Sequence, residues 1–316
     1  EEGSGDPDLL WRRSMNAAYH NGGQEYAEQL VRFAQLQSID AALRAEAIDL
    51  LGTWGQPDPL DRLTGYYWPV SERDDSAIAD LALALSELVD HETPDEVLIS
   101  WAKLVQGLAV AEEENTPALS EEIAEQLAKL TSKQSAGVAA RVSALQALEV
   151  MAPDNLKEIV SFALESQDPE IRAAALSALE SLSLSDVMPR LPALLDHGEM
   201  PEHRMALRIL GEADDPRADE WLAGELRKLR SHGYPEELTL DLVLAAESRE
   251  SPTVQALLAE NSDQNNADSA LAPWMNSLFG GDATLGRAVF EQTEMQCVRC
   301  HEADEGATAV GPNLTE

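Results

Sequence analysis

A segment of the sequence recurs at an interval of 31 residues, and this repetition limits the folds that the chain can adopt. Residues 141–149, RVSALQALE, match residues 172–180, RAAALSALE. Two further copies keep the same register: His203, Ala206, Leu207 and Leu210 downstream, and Arg44, Ala47, Ile48 and Leu51 upstream. Apolar residues three, four and seven positions after the leading residue share one face of a helix. The repetition predicts a series of similar helices that bury this face together.

Helix pairs account for most of the chain in this interpretation. Helices are predicted near 24–37, 40–52, 76–90, 95–110, 118–132, 136–151, 154–165, 169–182, 187–196, 201–212, 217–230, 235–247 and 251–260. No alternating β segment of useful length is present. Asp168 is predicted to cap the helix that Pro169 starts. Because a pair of helices cannot bury its apolar faces alone, we expect an all-α chain in which stacked pairs form an α-solenoid.

The charge of the chain restricts its partners. Its 316 residues include 22 Lys and Arg but 58 Asp and Glu, a formal net charge of −36. Nucleic acids and anionic lipids need a basic surface, so the acidity argues against both and suits solubility or a basic partner. A hydrophobic content of 44% provides a core, and no apolar run is long enough to span a membrane. We expect a folded protein with no nucleic-acid partner and no transmembrane segment in this chain.

Both cysteines lie in one motif, Cys297-Val298-Arg299-Cys300-His301. The spacing CxxCH is the attachment signature of c-type haem. Two thiols three residues apart lie on one helical turn and can add to the two vinyl groups of a porphyrin. The next residue can then offer its imidazole to the iron. The motif predicts covalent haem c held by Cys297 and Cys300, with His301 as an axial ligand of the iron.

Three other interpretations of the cysteine pair are open. A thioredoxin-like CxxC needs a βαβ setting, whereas the surroundings here are helical and loop-like. A zinc site needs four ligands, and the sequence shows no second cysteine pair or nearby histidine pair. A disulfide between Cys297 and Cys300 would leave the adjacent histidine without a reason. We therefore favour haem.

The flanks of the motif resemble a small class I c-type cytochrome. Residues 280–290, GGDATLGRAVF, resemble its N-terminal helix, with Asp282 as the N-cap. Residues 310–314, VGPNL, resemble its Gly-Pro-Asp/Asn-Leu loop. The resemblance implies that the carbonyl of Pro312 accepts a hydrogen bond from the ring N–H of His301, which would fix the tautomer of the ligand.

The expected distal ligand has no counterpart in this sequence. The cytochrome family places that ligand, usually a methionine, well after the CxxCH motif. Only 15 residues follow His301, and none of them is methionine. We therefore expect the distal ligand to be absent from this chain and the cytochrome-like segment to be truncated.

Two segments interrupt the helical pattern. Residues 55–69, GQPDPLDRLTGYYWP, combine three prolines, two glycines and three consecutive aromatic residues. Such aromatics either anchor a partner or fold back onto the helices, and the need of a lone chain to bury them favours the second. Residues 261–269, NSDQNNADS, read as a linker. We predict a solenoid over 1–262 with a loop insertion near 55–75, a linker over 263–279 and a cytochrome segment over 280–316.

The remaining histidines give no sign of a second site. They are dispersed without metal-ligand spacing, which favours surface or packing roles: His20, His91, His197, His203 and His232. The sequence also contains no phosphate-binding glycine loop and no nucleophile elbow. Nothing in residues 1–280 therefore indicates catalysis.

The order of these parts is similar to one family. The helix 169–182, with Asp168 and Arg172, resembles HEAT repeats, in which such residues often bridge neighbouring repeats. The segment AEAIDLLGTWG (45–55) leading into PLDR (59–62), together with GRAVF (286–290), CxxCH and GPNL (311–314), resembles the large haem-binding CxxCH proteins of planctomycete-type bacteria, the membrane-bound dehydrogenase family. In that family a β-propeller resembling quinoprotein sugar dehydrogenases precedes the repeats.

The family resemblance implies an electron-transfer module on a HEAT-repeat scaffold. Its haem would relay electrons from an upstream dehydrogenase domain or a partner protein. The alternative is a protein-binding scaffold whose haem segment is structural or a sensor. A weaker third function is an enzyme that acts on peroxide or binds a gas at an open iron site. Because haem of this type is attached outside the cytoplasmic membrane, we expect a periplasmic or otherwise exported bacterial protein.

Overall fold

A computed structural model of the chain confirms the all-α class. The structure describes residues 7–71, 73–74, 76–110, 121–231, 233–262, 280–281, 286–287, 289–290, 297, 300–301 and 311. The regular structure of these residues is α-helix with short 3₁₀ helices. One isolated antiparallel bridge, between Leu60 and Tyr67, lies outside them.

The chain divides into two compact units, Glu1–Arg190 and Leu191–Glu316. The helices of the first unit are α1 (Pro7–Asn21), α2 (Gln24–Gln35), α3 (Ala41–Gly52), α4 (Ile78–Leu85), α5 (Asp95–Val110), α6 (Glu121–Ser132), α7 (Val138–Met151), α8 (Leu156–Ala163), α9 (Pro169–Leu182) and α10 (Leu184–Val187). The helices of the second unit are α11 (Leu191–His197), α12 (Met200–Glu212), α13 (Pro216–Arg230), α14 (Thr239–Glu247) and α15 (Pro252–Ser262). The 3₁₀ helices cover Ser86–Asp90, Met188–Arg190 and Glu236–Leu238.

Alternate helices of the first unit pack as two rows. In one row α3 packs on α5, α5 on α7 and α7 on α9, and in the other α2, α4, α6 and α8 follow one another. Each helix of the second row also packs on the helix that follows it in the chain. In the second unit α12 packs on α14 and α13 on α15, and consecutive helices are in contact. Each unit thus repeats a simple pairing of neighbouring helices.

The apolar face predicted from the repeat is buried in every copy. The alanine three positions after the leading residue is fully buried in all four helices: Ala47, Ala144, Ala175 and Ala206. The residues four and seven positions on are buried as well: Ile48, Leu51, Leu145, Leu148, Leu176, Leu179, Leu207 and Leu210. Because the distance between packed helices depends on the side chains at the contact, the alanine permits a close approach. The predicted register is confirmed.

The leading arginine of the repeat joins the two helices of a pair. Arg44 Nε donates to the carbonyl of Ala34 at 2.7 Å, and Arg141 Nε donates to the carbonyl of Thr131 at 2.9 Å. Each carbonyl belongs to the penultimate residue of the preceding helix, where no intrahelical donor is available. A guanidinium there also interacts favourably with the negative end of the helix dipole. The same position of the repeat therefore makes the same bond in both pairs.

Asp168 has a different role from the one predicted. It occupies the N-cap position of α9, but its side chain makes no capping hydrogen bond. Its Oδ2 instead accepts a hydrogen bond from Arg141 Nη1 at 3.3 Å. The capping prediction is wrong: the carboxylate of Asp168 instead links α9 to Arg141 of α7.

The helix map needs two corrections. The structure adds α1, which the sequence pattern did not predict. The single helix predicted over 187–196 is divided into α10, a 3₁₀ turn and α11, because Pro189 and Pro192 cannot donate the backbone hydrogen bonds of a continuous helix. The segment between α3 and α4 is non-helical, as expected.

The structure bears on the predicted absence of a membrane span and on the predicted division of the chain. Among the described residues, no helix combines the length and apolar character needed to cross a membrane. The linker 263–279 lies outside the described residues, so the boundaries at 262 and 279 stay predictions. The division of the chain after Arg190 falls within the range predicted as solenoid.

The arginine bond gives a stability prediction. Arg141→Ala removes a buried donor and leaves the Thr131 carbonyl unpaired, so we expect a loss of about 2 to 3 kcal/mol in the free energy of unfolding. Urea unfolding followed by circular dichroism measures it. Lys157→Ala is the control, because the exposed pair of Lys157 with Asp186 contributes less than about 0.5 kcal/mol. Equal effects of the two substitutions would contradict this role of Arg141.

Candidate functional site

Cys297, Cys300 and His301 lie on one tight turn. The backbone N–H of Cys300 donates to the carbonyl of Cys297 at 3.2 Å, and the N–H of His301 donates to the same carbonyl at 3.0 Å. These bonds join residues three and four positions apart, as in a helical turn. Cys300 is exposed, and Cys297 and His301 are half-buried. The two thiols and the imidazole therefore belong to one short turn at the surface.

Gly311 closes this turn from the other side. Its N–H donates to the carbonyl of Cys300 at 2.6 Å. A Cβ atom at this position would lie 2.6 Å from the Cys300 carbonyl oxygen and 3.0 Å from both Nδ1 and Cε1 of His301. The close approach of backbone to ring requires a residue without a side chain. Residue 311 thus contacts the histidine ring and limits its movement.

The other predicted elements of this segment are described only in part. Pro312, predicted to accept from the ring of His301, and the N-cap Asp282 lie outside the described residues. Residues 286, 287, 289 and 290 are helical, which agrees with the helix predicted there. Val289, on this helix, is exposed.

Gly280 and Gly281 pack against the beginning of α14. Both have positive φ angles, 94° and 82°, which glycine adopts without strain. A Cβ at Gly280 would lie 2.7 Å from the carbonyl oxygen of Glu237 and 3.3 Å from the Cβ of Leu240. The start of the predicted cytochrome segment is therefore in close contact with a helix of the second unit.

The alternative uses of the cysteines find no support in the described residues. Neither cysteine forms a disulfide. Within the described ranges, no three side chains of His, Cys, Asp or Glu are grouped so that they could hold a metal ion.

His203 has the packing role that the sequence predicts for it. The residue is buried on α12, and its ring meets Tyr234 edge-on with 6.0 Å between the ring centroids. Burial lowers the pKa of His203, and a nearby Lys228 lowers it further. Burial also raises the pKa of the Tyr234 hydroxyl above its usual range. Both rings are therefore uncharged at neutral pH and serve as core.

A second polar cluster, centred on Asp61, was not predicted. The nearly buried Asp61 Oδ2 accepts from Asn16 Nδ2 at 2.6 Å and lies 2.9 Å from Nε2 of His20, while Oδ1 accepts from the hydroxyl and N–H of Thr64. The bonds from Thr64 and then Asn16 hold the pKa of Asp61 far below its usual range. The ring of His20 also stacks on Trp68, with 4.7 Å between the centroids.

The sequence carries a weak sign of this cluster. An aspartate followed three residues later by threonine is a common turn-forming pattern. His20 is 41 positions away, and no periodicity relates it to Asp61. The contact arises because α1, the helix that the sequence pattern did not predict, carries His20 to the loop.

Comparisons with known proteins give no family for the chain. No family model, no curated protein and no solved structure matches it. The function therefore has to be argued from the turn at Cys297–His301 and the helices around it.

Gly311 provides a direct test of the site geometry. Gly311→Ala places a methyl group against the Cys300 carbonyl and the ring of His301, so we expect the ring to move. In the full chain labelled at histidine Cε1, the NMR signal of His301 should shift, while those of the other five histidines stay in place. Gly224→Ala on α13 is the matched control, because nothing in the described part of the chain lies within 4 Å of a Cβ there. An unchanged His301 signal in Gly311→Ala would contradict the contact.

Proposed function

We propose that the C-terminal segment binds haem c and acts as a one-electron carrier on an array of HEAT-like helix pairs. The observation that carries the proposal is the turn on which Cys297, Cys300 and His301 lie together. The absence of other cysteines supports it, because the whole thiol content of the chain is placed beside one histidine.

The residues on this turn fit the requirements of covalent haem. Cys297 and Cys300 would hold the group through thioether bonds, and His301 would bind the iron. Neither thiol is consumed by a disulfide, and Cys300 is exposed. When bound, haem supplies an iron centre that changes between the ferrous and ferric states.

The chain itself would position and tune this group. The hydrogen bonds to the Cys297 carbonyl fix the spacing of the thiols along the turn. Gly311 restricts the ring of His301, and a restrained ligand needs little rearrangement when the charge of its metal changes. Cys300 is exposed, so this side of the turn would be accessible to a redox partner, which suits a carrier.

The helices would serve as a spacer between the carrier and its electron donor. The two rows of the first unit and the buried Ala/Leu faces favour a stiff α-solenoid, because every pair is fixed to its neighbour. The donor would be a partner protein or an upstream dehydrogenase domain, as in the planctomycete-type haem-binding CxxCH proteins that the sequence resembles. Covalent haem attachment would then place the protein in the periplasm or outside the cell.

Contact between Gly280–Gly281 and α14 supports a fixed position of the haem segment within the second unit. Within the second unit, the close approach to the Glu237 carbonyl attaches the start of the haem segment to a helix. A carrier attached in this way stays near a fixed part of the unit rather than at the end of a free linker.

Electron transfer can be tested with the full chain matured in bacterial periplasm beside the c-type maturation proteins. Spectroelectrochemical titration should give a reversible one-electron transition. His301→Met should shift its midpoint potential, because the identity of the axial ligand sets the potential of haem iron. Gly224→Ala, a change on α13 outside the haem segment, should leave the midpoint unchanged.

The alternative functions predict other results. Rapid turnover of peroxide by the matured chain would favour an enzyme. Bound haem that cannot be reduced and reoxidised reversibly would favour a scaffold with a structural haem segment. Either result would overturn the proposal of an electron carrier.

A further inference from the structure

Three neighbouring aromatic side chains project into solvent from a short hairpin, which we call the aromatic hairpin, residues 59–68. Tyr66 is 75% exposed, Tyr67 is 74% exposed and Trp68 is 60% exposed. The expectation that the loop buries its aromatics against the helices is wrong for these three. The ring of Trp68 also stacks on the ring of His20.

The backbone of the aromatic hairpin is held in place. Asp61 N–H donates to the Tyr66 carbonyl at 2.8 Å, and Trp68 N–H donates to the Pro59 carbonyl at 2.8 Å. The carboxylate of Asp61 fixes the turn through Thr64 and ties it to α1 through Asn16. The rings are therefore presented by an ordered platform. A surface ordered before binding loses less conformational entropy when a partner arrives.

Such a surface has a physical cost that calls for a reason. Exposed contiguous aromatic surface promotes association, and exposed patches of this kind mark interaction sites. Tyrosine and tryptophan are also the residues that most often anchor interfaces, because they offer a large rigid area with few rotatable bonds. The aromatic hairpin has the composition and the order of an interface anchor.

The charges around the aromatic hairpin indicate what it binds. Residues 57–76 contain five acidic residues but only two arginines. Both arginines are engaged: Arg62 pairs with Glu46, and Arg73 donates to the backbone of Tyr19 and Trp54. Asp74 remains ionised, since the N–H of Ser76 lowers its pKa. The segment that carries the aromatic hairpin therefore has a net negative charge, within a chain of net charge −36.

We propose that the aromatic hairpin is a docking site for an arginine-bearing, basic segment of a partner protein. Guanidinium groups stack on tyrosine and tryptophan faces and are attracted by the ring quadrupoles. The net negative charge of residues 57–76 strengthens this attraction and repels acidic partners. This inference is independent of the haem site and does not rest on the function proposed for it.

The side-chain N–H signals of the tryptophans in two-dimensional NMR spectra report binding at this site. The full chain is titrated with a nonapeptide of three Arg-Gly-Gly repeats, and in parallel with the corresponding Lys-Gly-Gly and Glu-Gly-Gly peptides. Trp68 should shift with the arginine peptide, less with the lysine peptide and not with the glutamate peptide. The shift should weaken in 0.5 M NaCl, because the pair is exposed to screening. Fully buried Trp101 is an internal control and should not move.

Two variants separate docking from general attraction to an acidic protein. The double variant Tyr66→Ser/Tyr67→Ser should weaken the arginine peptide about five- to thirty-fold, as expected for the loss of two exposed cation–π contacts. Phe162→Ser is the matched control, because it removes an exposed aromatic side chain elsewhere in the same unit and should leave the affinity unchanged.

Three results would overturn the proposal. A Trp68 signal that shifts no more than that of half-exposed Trp11 would show that the peptide does not select this surface. Equal affinity of the double variant and the Phe162→Ser control would show that the tyrosines are not the contact. If the arginine and lysine peptides bind with equal affinity, both to the unaltered chain and to the double variant, only the charge of the chain attracts them.

Discussion

Burial of one repeated apolar face is the interaction on which the other features of the structure depend. Four helices present alanine, a branched aliphatic residue and leucine at the same register, and the alanine is fully buried in each. Apolar area removed from water stabilises such contacts by roughly 25 cal/mol per Å². The small alanine permits a close approach of the helices. Polar bonds, such as those of Arg44 and Arg141 to helix ends, satisfy backbone groups that this close packing removes from water.

Much of this arrangement could be predicted from the sequence, because the same helical pattern occurs in it four times. The register, most helix ranges and the non-helical segment after α3 followed from the spacing of apolar residues and from prolines. Helix α5 occupies the same row as α3 and α7 but lacks the leading arginine, so its place in the row became visible only in the structure. Its fully buried Trp101 also replaces the small residues typical of the other copies.

Features that depend on contacts between distant residues were not predictable. Asp168 is of a residue type common at N-caps, yet its carboxylate accepts a hydrogen bond from Arg141 of the preceding helix pair instead. The exposed aromatics near residue 67 contradict the rule that a lone chain buries such side chains, because Asp61 holds their loop by polar bonds instead. The turn at Cys297–His301 is local and was therefore predictable, whereas the approach of Gly311 to the histidine ring was not.

We propose that this turn carries covalent haem c, and a pyridine haemochrome spectrum tests the proposal most directly. The full chain would be produced in bacterial periplasm with the c-type maturation proteins, beside a Cys297→Ala/Cys300→Ala variant. We expect a c-type spectrum that survives acid–acetone extraction in the unaltered chain and is absent from the variant. Haem that is extracted by acid–acetone, or a spectrum that persists in the variant, would contradict it.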